Sequence, residues 1–390
     1  MPIDMTPAMQ DTHFMQRALT LAQATTALTS PNPQVGCILT RNNEILGEGA
    51  HLYDLRDHAE IAALKQAAQR GHTVEGATAY VTLEPCSHQG RTGPCADALT
   101  AAGIARVVVA TVDPNPQVSG NGIAKLRAAG IDVTVGILEQ PARDLNDAFA
   151  HFIQTRKPFV TLKAALSVDG HLAPPPAQRQ PNQPFWLTGP EARAEVQRLR
   201  HASDAILTGI GTVLADSPAL TDRTNLPRRR PLLRVVLDTH LRLPLTSQLV
   251  RTAQNDLLIL CGSSAPPRNI AALAANGIEV LPIGNGIDNH LSLPSALKLL
   301  ADRNILSLLV ESGSQLNGAF LTQGLVDKAV LFYSETELGD NALPFATGIA
   351  SPFLFEQSLR RVTRTTFGPD SRPDACVTGY LRDPWPAPGE

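Results

Sequence analysis

The stretch "EPCSHQGRTGPC", residues 84–95, sets eight residues between Cys86 and Cys95, each directly after a proline. A purely structural turn hardly needs two such thiols around a Gly- and His-containing loop that carries one arginine. A third partner lies upstream in "RDHAEIAALKQAAQRG", where His58 and Glu60 open an Ala-rich helical pattern that Gly71 ends. Residues two apart on a helix point about 200° from each other, so both serve one site only at the helix tip. A helix N-terminus favours negative charge, which suits a carboxylate and thiolates. Pro94 is expected at the first helical position and Cys95 at the next, a setting that favours ionisation of the Cys95 thiol.

One histidine and two cysteines leave a fourth tetrahedral position open, the mark of a catalytic rather than a structural zinc. Water in that position has its pKa reduced from about 15.7 to about 7. Glu60 is not a ligand in this reading but the shuttle that carries a proton from that water to a leaving amine, a role worth roughly 10²- to 10⁴-fold in rate. His-x-Glu followed by a Pro-Cys pair and a second cysteine is the signature of zinc deaminases, with the departure that eight residues, not two, separate the thiols. Taken singly, a surface histidine or core cysteines would be the plainer explanation.

Helix and strand patterns alternate along the whole chain, which predicts α/β architecture with a parallel or mixed sheet in each half. The first half offers helices near 11–27, 59–70 and 95–102 and strands near 36–40, 77–83 and 105–111, with Gly71 and Gly103 as helix stops. A break at "QTRKPFV", 154–160, marks a domain boundary, giving domains 1–155 and 156–390. Such a length exceeds what one core usually serves. The closing "DPWPAPGE" reads as a loose Pro-rich tail.

A hydrophobic content of 43%, a charged content of 18% and a net charge of −3 give no electrostatic reason to expect a nucleic-acid partner. The one dense basic run, Arg228 to Arg230, reads as a solvated loop. The N-terminus lacks a signal-peptide pattern and no apolar run reaches the ~18 residues that span a bilayer, so a cytoplasmic protein with no membrane partner is expected. Five cysteines, an odd number, fit a reducing compartment, with Cys37, Cys261 and Cys376 as inert core residues.

"HAE" (58–60), "YVTLEPCSHQGRTGPC" (80–95) and "DPNPQVSGNG" (113–122) resemble the bifunctional deaminase-reductase family of riboflavin biosynthesis, in which the long inter-cysteine loop is a family trait. The resemblance covers nearly the whole chain. It implies a cytidine-deaminase-like three-layer domain with zinc on His58, Cys86 and Cys95 and with Glu60 as proton donor, and a homo-oligomer. The implied first reaction replaces the 2-amino group of a diaminopyrimidinone carrying phosphoribosylamine by a carbonyl. Substrate contacts fall on Asn32, His51, His88, Arg91 and Asn115. His88, Arg91 and Thr92 could meet the substrate phosphate, or the loop could only tighten the metal site. Asn32 and Asn115, in the near-repeats "SPNPQVG" and "DPNPQVSG", could face the pyrimidine or make local Asx bonds.

In the second half, "SDAILTGIGTVLADSPALTDR" (203–223) and "LLVESGSQLNGAFL" (308–321) each run from strand into Gly-led helix, where α/β folds hold ligands. The Rossmann spacing is absent, since Leu214 stands where a third glycine would be. The resemblance implies a dihydrofolate-reductase-like α/β domain that uses NADPH to reduce the ribose to a ribityl chain. "LKAALSVDG" (162–170) carries Lys163, which with Glu311 approaches the sugar. Ala165, Trp186, Thr212, Asp216, Thr239 and Gly313 match cofactor-side positions, with Asp238 beside them, and Arg200, Leu220, Arg223 and Glu311 match substrate-side ones. The chain departs from the family in the Pro-rich stretch 174–184, where Pro184 replaces a substrate-side serine, and at Gly93.

Overall fold

The computed structural model describes residues 6–88, 93–116, 118–179, 185–286 and 290–385. The chain divides into two compact units. One comprises residues up to Arg156 together with Pro227–Arg229 and Trp385, and the other Lys157–Leu226 and Arg230–Pro384.

The first unit is built on β1 (Gly36–Arg41), β2 (Glu44–Ala50), β3 (Thr78–Val81), β4 (Arg106–Val109) and β5 (Asp132–Val135), in the order β2-β1-β3-β4-β5. β1 runs antiparallel to β2 and β3, whereas β3, β4 and β5 are mutually parallel. Its helices are α1 (Pro7–Gln23), α2 (Ala59–Gln69), α3 (Cys95–Ala101), α4 (Asn121–Ala128), α5 (Glu139–Leu145) and α6 (Asp147–Thr155). Successive strand residues serve opposite faces. Cys37, Leu39, Val107 and Val109 join one core with residues of α2, α3 and α4, while Ile38 and Val108 join another with Phe14 and Ala18 of α1 and Ala142 of α5. Helices therefore cover both faces, and the unit has three layers.

The alanines of α2 have a steric reason. A Cβ at Gly47 or Gly49 of β2 would collide with the Ala63 backbone, so Gly on the strand and Ala on the helix allow an unusually close approach. That contact fixes the N-terminal end of α2, where His58 and Glu60 stand, against the sheet.

The second unit contains β6 (Phe159–Leu166), β7 (His171–Ala173), β8 (Ala205–Gly209), β9 (Leu233–Leu237), β10 (Leu257–Cys261), β11 (Glu279–Pro282), β12 (Ser307–Val310), β13 (Lys328–Tyr333), β14 (Leu343–Pro344), β15 (Arg360–Phe367) and β16 (Asp374–Tyr380). Nine of them form one sheet, β11-β10-β9-β8-β12-β6-β13-β16-β15, parallel through β13 and closed by the antiparallel β16 and β15. β7 pairs with β14 apart from it. Around the sheet lie α7 (Pro190–Ala202), α8 (Ile210–Asp216), α9 (Gln248–Arg251), α10 (Pro267–Ala274), α11 (Leu293–Asp302), α12 (Ser314–Thr322) and α13 (Pro352–Glu356). Leu207 of β8 and Ile206 beside it enter separate cores, so this sheet too is covered on both faces.

Two expectations fail. The end of the chain is not a loose tail as far as Trp385, which is buried and donates from Nε1 to the Arg143 carbonyl and to Asp147 Oδ1, both at 3.2 Å. The basic run is not a solvated loop either. Arg229 rests its guanidinium 4.2 Å from the Tyr53 ring centre, and Arg230 lies 3.2 Å from Asp204 and donates to the Asn304 carbonyl. In both cases the residue finds planar or anionic partners that lie far away in sequence.

Candidate active sites

In the first unit, His58 caps the N-terminus of α2, Cys86 follows β3 and Cys95 opens α3. Nδ1 of His58 lies 3.5 Å from Cys86 Sγ and 3.3 Å from Cys95 Sγ, and all three donor atoms lie within 4.8 Å of one another. Tetrahedral zinc, with sulfur at ~2.3 Å and nitrogen at ~2.05 Å, sets N and S donors ~3.6 Å apart. The trio therefore fits a zinc ion in spacing and in donor chemistry, with a fourth position left over. Among the described residues it is the one such His/Cys/Asp/Glu group.

The electrostatics differ from the sequence expectation in one respect. Pro94 is the cap of α3 and Cys95 its first residue, and the Cys95 N–H donates to Cys86 Sγ at 3.3 Å. The helix thus stabilises charge on Cys86. Hydrogen bonding from Cys95, helped by His58, brings the Cys86 thiol down to about 4 against the opposing effect of burial. Cys95 is pushed up, first by the hydrogen bond between its thiol and Cys86 and then by burial, because the two thiols share one proton. His58 is raised, chiefly by its bond to Cys86. Cys37, Cys261 and Cys376 are buried strand residues, each raised first by burial and thus unreactive.

Glu60, in the first turn of α2, is 3% exposed, and burial pushes its carboxyl up to about 7. A carboxyl there can both take and give a proton at neutral pH. Beside the metal trio, the His51 and His58 rings meet edge to face at 5.6 Å. His51 Nδ1 donates to the Asp57 carbonyl at 2.8 Å, so its Nε2 accepts from the Asn32 amide at 2.9 Å. Asn32 and His51 are therefore linked at the site. Near Asn115 the Asx bond is made by Asp113, whose Oδ1 accepts from the Asn115 backbone N–H at 2.8 Å, and burial lifts the Asp113 carboxyl to about 6. His88 is exposed. Arg91 and Thr92 lie outside the described residues.

Sequence reasoning passed over Glu84. Its buried carboxylate accepts from the backbone N–H groups of Asp113, Gly120, Gly122 and Ile123, at 2.8 to 3.2 Å. One side chain thereby ties the Cys86 segment to the "DPNPQVSGNG" loop and the start of α4. Gly122 makes the approach possible, since a Cβ there would collide with the Pro85 carbonyl. The usable signal was an acidic residue two before Cys86 together with a distant Gly-x-Gly.

In the second unit, a cavity of about 1810 Å³ opens at the C-terminal ends of β8, β9 and β12. A single small-ligand pocket measures roughly 300–1,000 Å³, so two ligands have room here. Its charged centre is Glu311. Arg200 donates to both Glu311 oxygens, at 2.7 and 3.0 Å, and Lys163 Nζ stands 3.8 Å away. Burial alone would raise the Glu311 carboxyl, but Arg200 and then Lys163 bring it down to about 2. Burial lowers Lys163, against the pull of Glu311.

The remaining second-half candidates converge on this cavity. Ala165, Trp186, Thr212, Asp216, Thr239 and Gly313 line it, as do Leu220 and Arg223. Gly209 and Gly313 cap α8 and α12, leaving helix N–H groups at the cavity as in other anion-holding α/β sites. Arg193 lies 5.0 Å from the Trp186 ring centre. Asp238 does not reach the cavity; it is fully buried and accepts from the Leu243 N–H. Pro184 lies outside the described residues. Arginine and histidine in the wall (Arg179, His240, Arg242, His290) suit the phosphates of a dinucleotide such as NADPH.

A His/Cys/Cys metal trio with a buried carboxyl on one three-layer unit, and a two-ligand cavity on a second α/β unit, define an enzyme that couples a zinc deaminase to a reductase. Residues 8–111 match the cytidine and deoxycytidylate deaminase zinc-binding region, and residues 158–370 match the RibD C-terminal domain. The riboflavin biosynthesis protein RibD of Escherichia coli (strain K12) is 40% identical over 87% of this chain and 91% of its own length. That of Actinobacillus pleuropneumoniae is 38% identical over 94% of each. The solved structure of Acinetobacter baumannii RibD, form 1, has 36% identity and a TM-score of 0.78, covering 95% of this chain and 99% of that one. A diaminohydroxyphosphoribosylaminopyrimidine deaminase/5-amino-6-(5-phosphoribosylamino)uracil reductase from Thermotoga maritima has 31% identity and a TM-score of 0.79, covering 96% and 100%. The chain belongs to the RibD family, the bifunctional deaminase-reductases of riboflavin biosynthesis. Its deaminase region is of the zinc-binding type and its reductase uses NADPH. Among the described residues no helix is long and apolar enough to cross a membrane.

Proposed function

We propose that residues 1–155 deaminate 2,5-diamino-6-(5-phosphoribosylamino)pyrimidin-4-one and that residues 156–390 reduce the ribose of the product. In this reading His58, Cys86 and Cys95 hold the zinc, which when bound supplies the Lewis acid that makes water nucleophilic at neutral pH. Glu60 takes the proton of the attacking water and delivers it to the amine that leaves. The observation that carries this assignment is the burial of Glu60, with a carboxyl near 7, beside three donors spaced for zinc. Asn32, His51 and Asn115 orient the pyrimidine, and His88 and Arg91 meet the phosphoribosyl part.

For the second reaction, NADPH when bound supplies the reducing equivalent, and Ala165, Trp186, Thr212, Asp216, Thr239 and Gly313 are the residues proposed to hold it. Arg200, Leu220, Arg223 and Glu311 position the sugar. Reduction at C1 opens the ribose, and the departing ring oxygen requires a proton. Lys163 is the donor: burial makes its ammonium a better acid, while Glu311 keeps it at the cavity. The enzyme is further proposed to be a cytoplasmic homo-oligomer.

The test is Glu60→Gln. Ammonia release should fall by roughly 10²-fold or more while zinc content stays at the wild-type level, because a shuttle is removed and no ligand. Loss of the zinc with the activity would make Glu60 part of the metal site and overturn its role.

A further inference from the structure

We infer that the turn 219–224 is a pre-set substrate arm of the reductase cavity, and that Arg234, His201 and Asp222 are positioning residues that hold it. The inference rests on the reading of Leu220 and Arg223 as substrate contacts. Leu220 has φ of 53°, in the left-handed region that a bulky residue rarely adopts, yet it is buried and lines the cavity. Such a conformation persists only where the surroundings over-determine it, and it clusters at ligand-gripping sites.

The surroundings do so from both sides. The carbonyl before Leu220, that of Ala219, accepts from Arg234 Nη1 at 3.0 Å, and the carbonyl after it, that of Thr221, accepts from Arg200 Nη1 at 3.1 Å. Arg234 is fully buried in β9. Its five N–H groups are matched by both Asp256 oxygens, Thr252 Oγ1, the Thr252 carbonyl and the Ala219 carbonyl, so it holds the turn with no donor wasted. Downstream, the Asp222 carboxylate, on a side chain 8% exposed, accepts from His201 Nδ1 at 2.8 Å and from the N–H and Oγ1 of Thr224 at 2.9 and 2.7 Å. The Arg223 N–H donates to Gln197 Oε1 at 2.9 Å.

Gln197, Arg200 and His201 all come from α7, and Arg200 also donates to both Glu311 oxygens. The arm and the charged centre are thus registered to one helix. A turn that only joined α8 to β9 would be served by glycine at the left-handed position. Leucine there, with the carbonyls on both sides gripped by arginines, trades local strain for a fixed aim of Leu220 and Arg223 into the cavity.

The test uses the full zinc-loaded chain with the already deaminated compound and NADPH. His201→Ala should raise KM for that compound by roughly 10- to 100-fold through misplacement of the arm. The NADPH Kd, read by quenching of protein fluorescence, and the rate of ammonia release in the first reaction should both stay within about 2-fold of wild type. His201→Asn, whose amide can give Asp222 the same hydrogen bond, should restore KM. A lowered Tm with unchanged KM would show a merely structural pair and overturn the inference. If His201→Ala fails to fold, Asp222→Asn decides in the same way, an unchanged KM overturning it. A wild-type chain that oxidises no NADPH with the deaminated compound would instead sink the underlying reading of the cavity, and this inference with it.

Discussion

Arg200 closes on Glu311 through two parallel hydrogen bonds, Nε to Oε1 at 2.7 Å and Nη2 to Oε2 at 3.0 Å. This bidentate fork is the strongest common way to hold a carboxylate, and it sits in the wall of the cavity where the sugar is proposed to react. The carboxyl is brought down from 4.5 to about 2, so its contribution to stability is complete above ~4.5 and is lost as pH falls toward ~2.

The first prediction concerns that pair. Glu311→Gln leaves two buried cations without their counter-charge and should destabilise the chain by about 3–5 kcal/mol, with loss of NADPH oxidation. Denaturant titrations at several pH values should show wild type losing on the order of 3 kcal/mol between pH ~4.5 and ~2. The variant should lack that component. Parallel pH profiles for the two proteins would contradict the assignment.

A second prediction separates ligand from shuttle. Cys95→Ser should lose zinc and ammonia release together, since a neutral hydroxyl cannot replace the sulfur ligand. Metal analysis of the purified variant checks it. A variant that keeps a full complement of zinc would remove Cys95 from the ligand set.

A third prediction follows from the tight seam at Gly122. Gly122→Ala forces a Cβ against the Pro85 carbonyl and should strain the Glu84 clamp, costing about 1–3 kcal/mol. Because Pro85 precedes a proposed ligand, zinc should also leave faster when a chelator is added. Unchanged stability and chelation kinetics would show that the loop gives way freely.

The metal trio was legible because "HAE" and the two Pro-Cys pairs combine residue types that rarely coincide, and because a helix tip lets His58 and Glu60 share one site. The strands were legible as elements alternating with helices, and β1 and β4 form close to the stretches 36–40 and 105–111 expected for them. Glu84 was not, since its acceptor role depends on backbone N–H groups 29 to 39 residues away. Charge alone also misled at Arg229 and Arg230, because a guanidinium can stack on a ring or bond a carbonyl as readily as it faces water. Trp385 was hidden for a similar reason: prolines beside it announce a loop but say nothing of whether that loop docks. The Arg234 anchor lay unseen inside "RVVLD", where one arginine in an apolar strand gives no sign of the five acceptors that await it.

The central claim is that one chain carries a zinc-dependent deamination and an NADPH-dependent reduction at separate sites. The most direct measurement follows ammonia release and NADPH oxidation together, with the diaminopyrimidinone phosphoribosylamine as substrate, before and after removal of zinc by a chelator. The account predicts ammonia release without NADPH, NADPH oxidation that follows it, and, after chelation, loss of ammonia release while the already deaminated compound is still reduced. Ammonia release that survives the loss of zinc, or a deaminated compound that draws no NADPH oxidation from the intact chain, would contradict it.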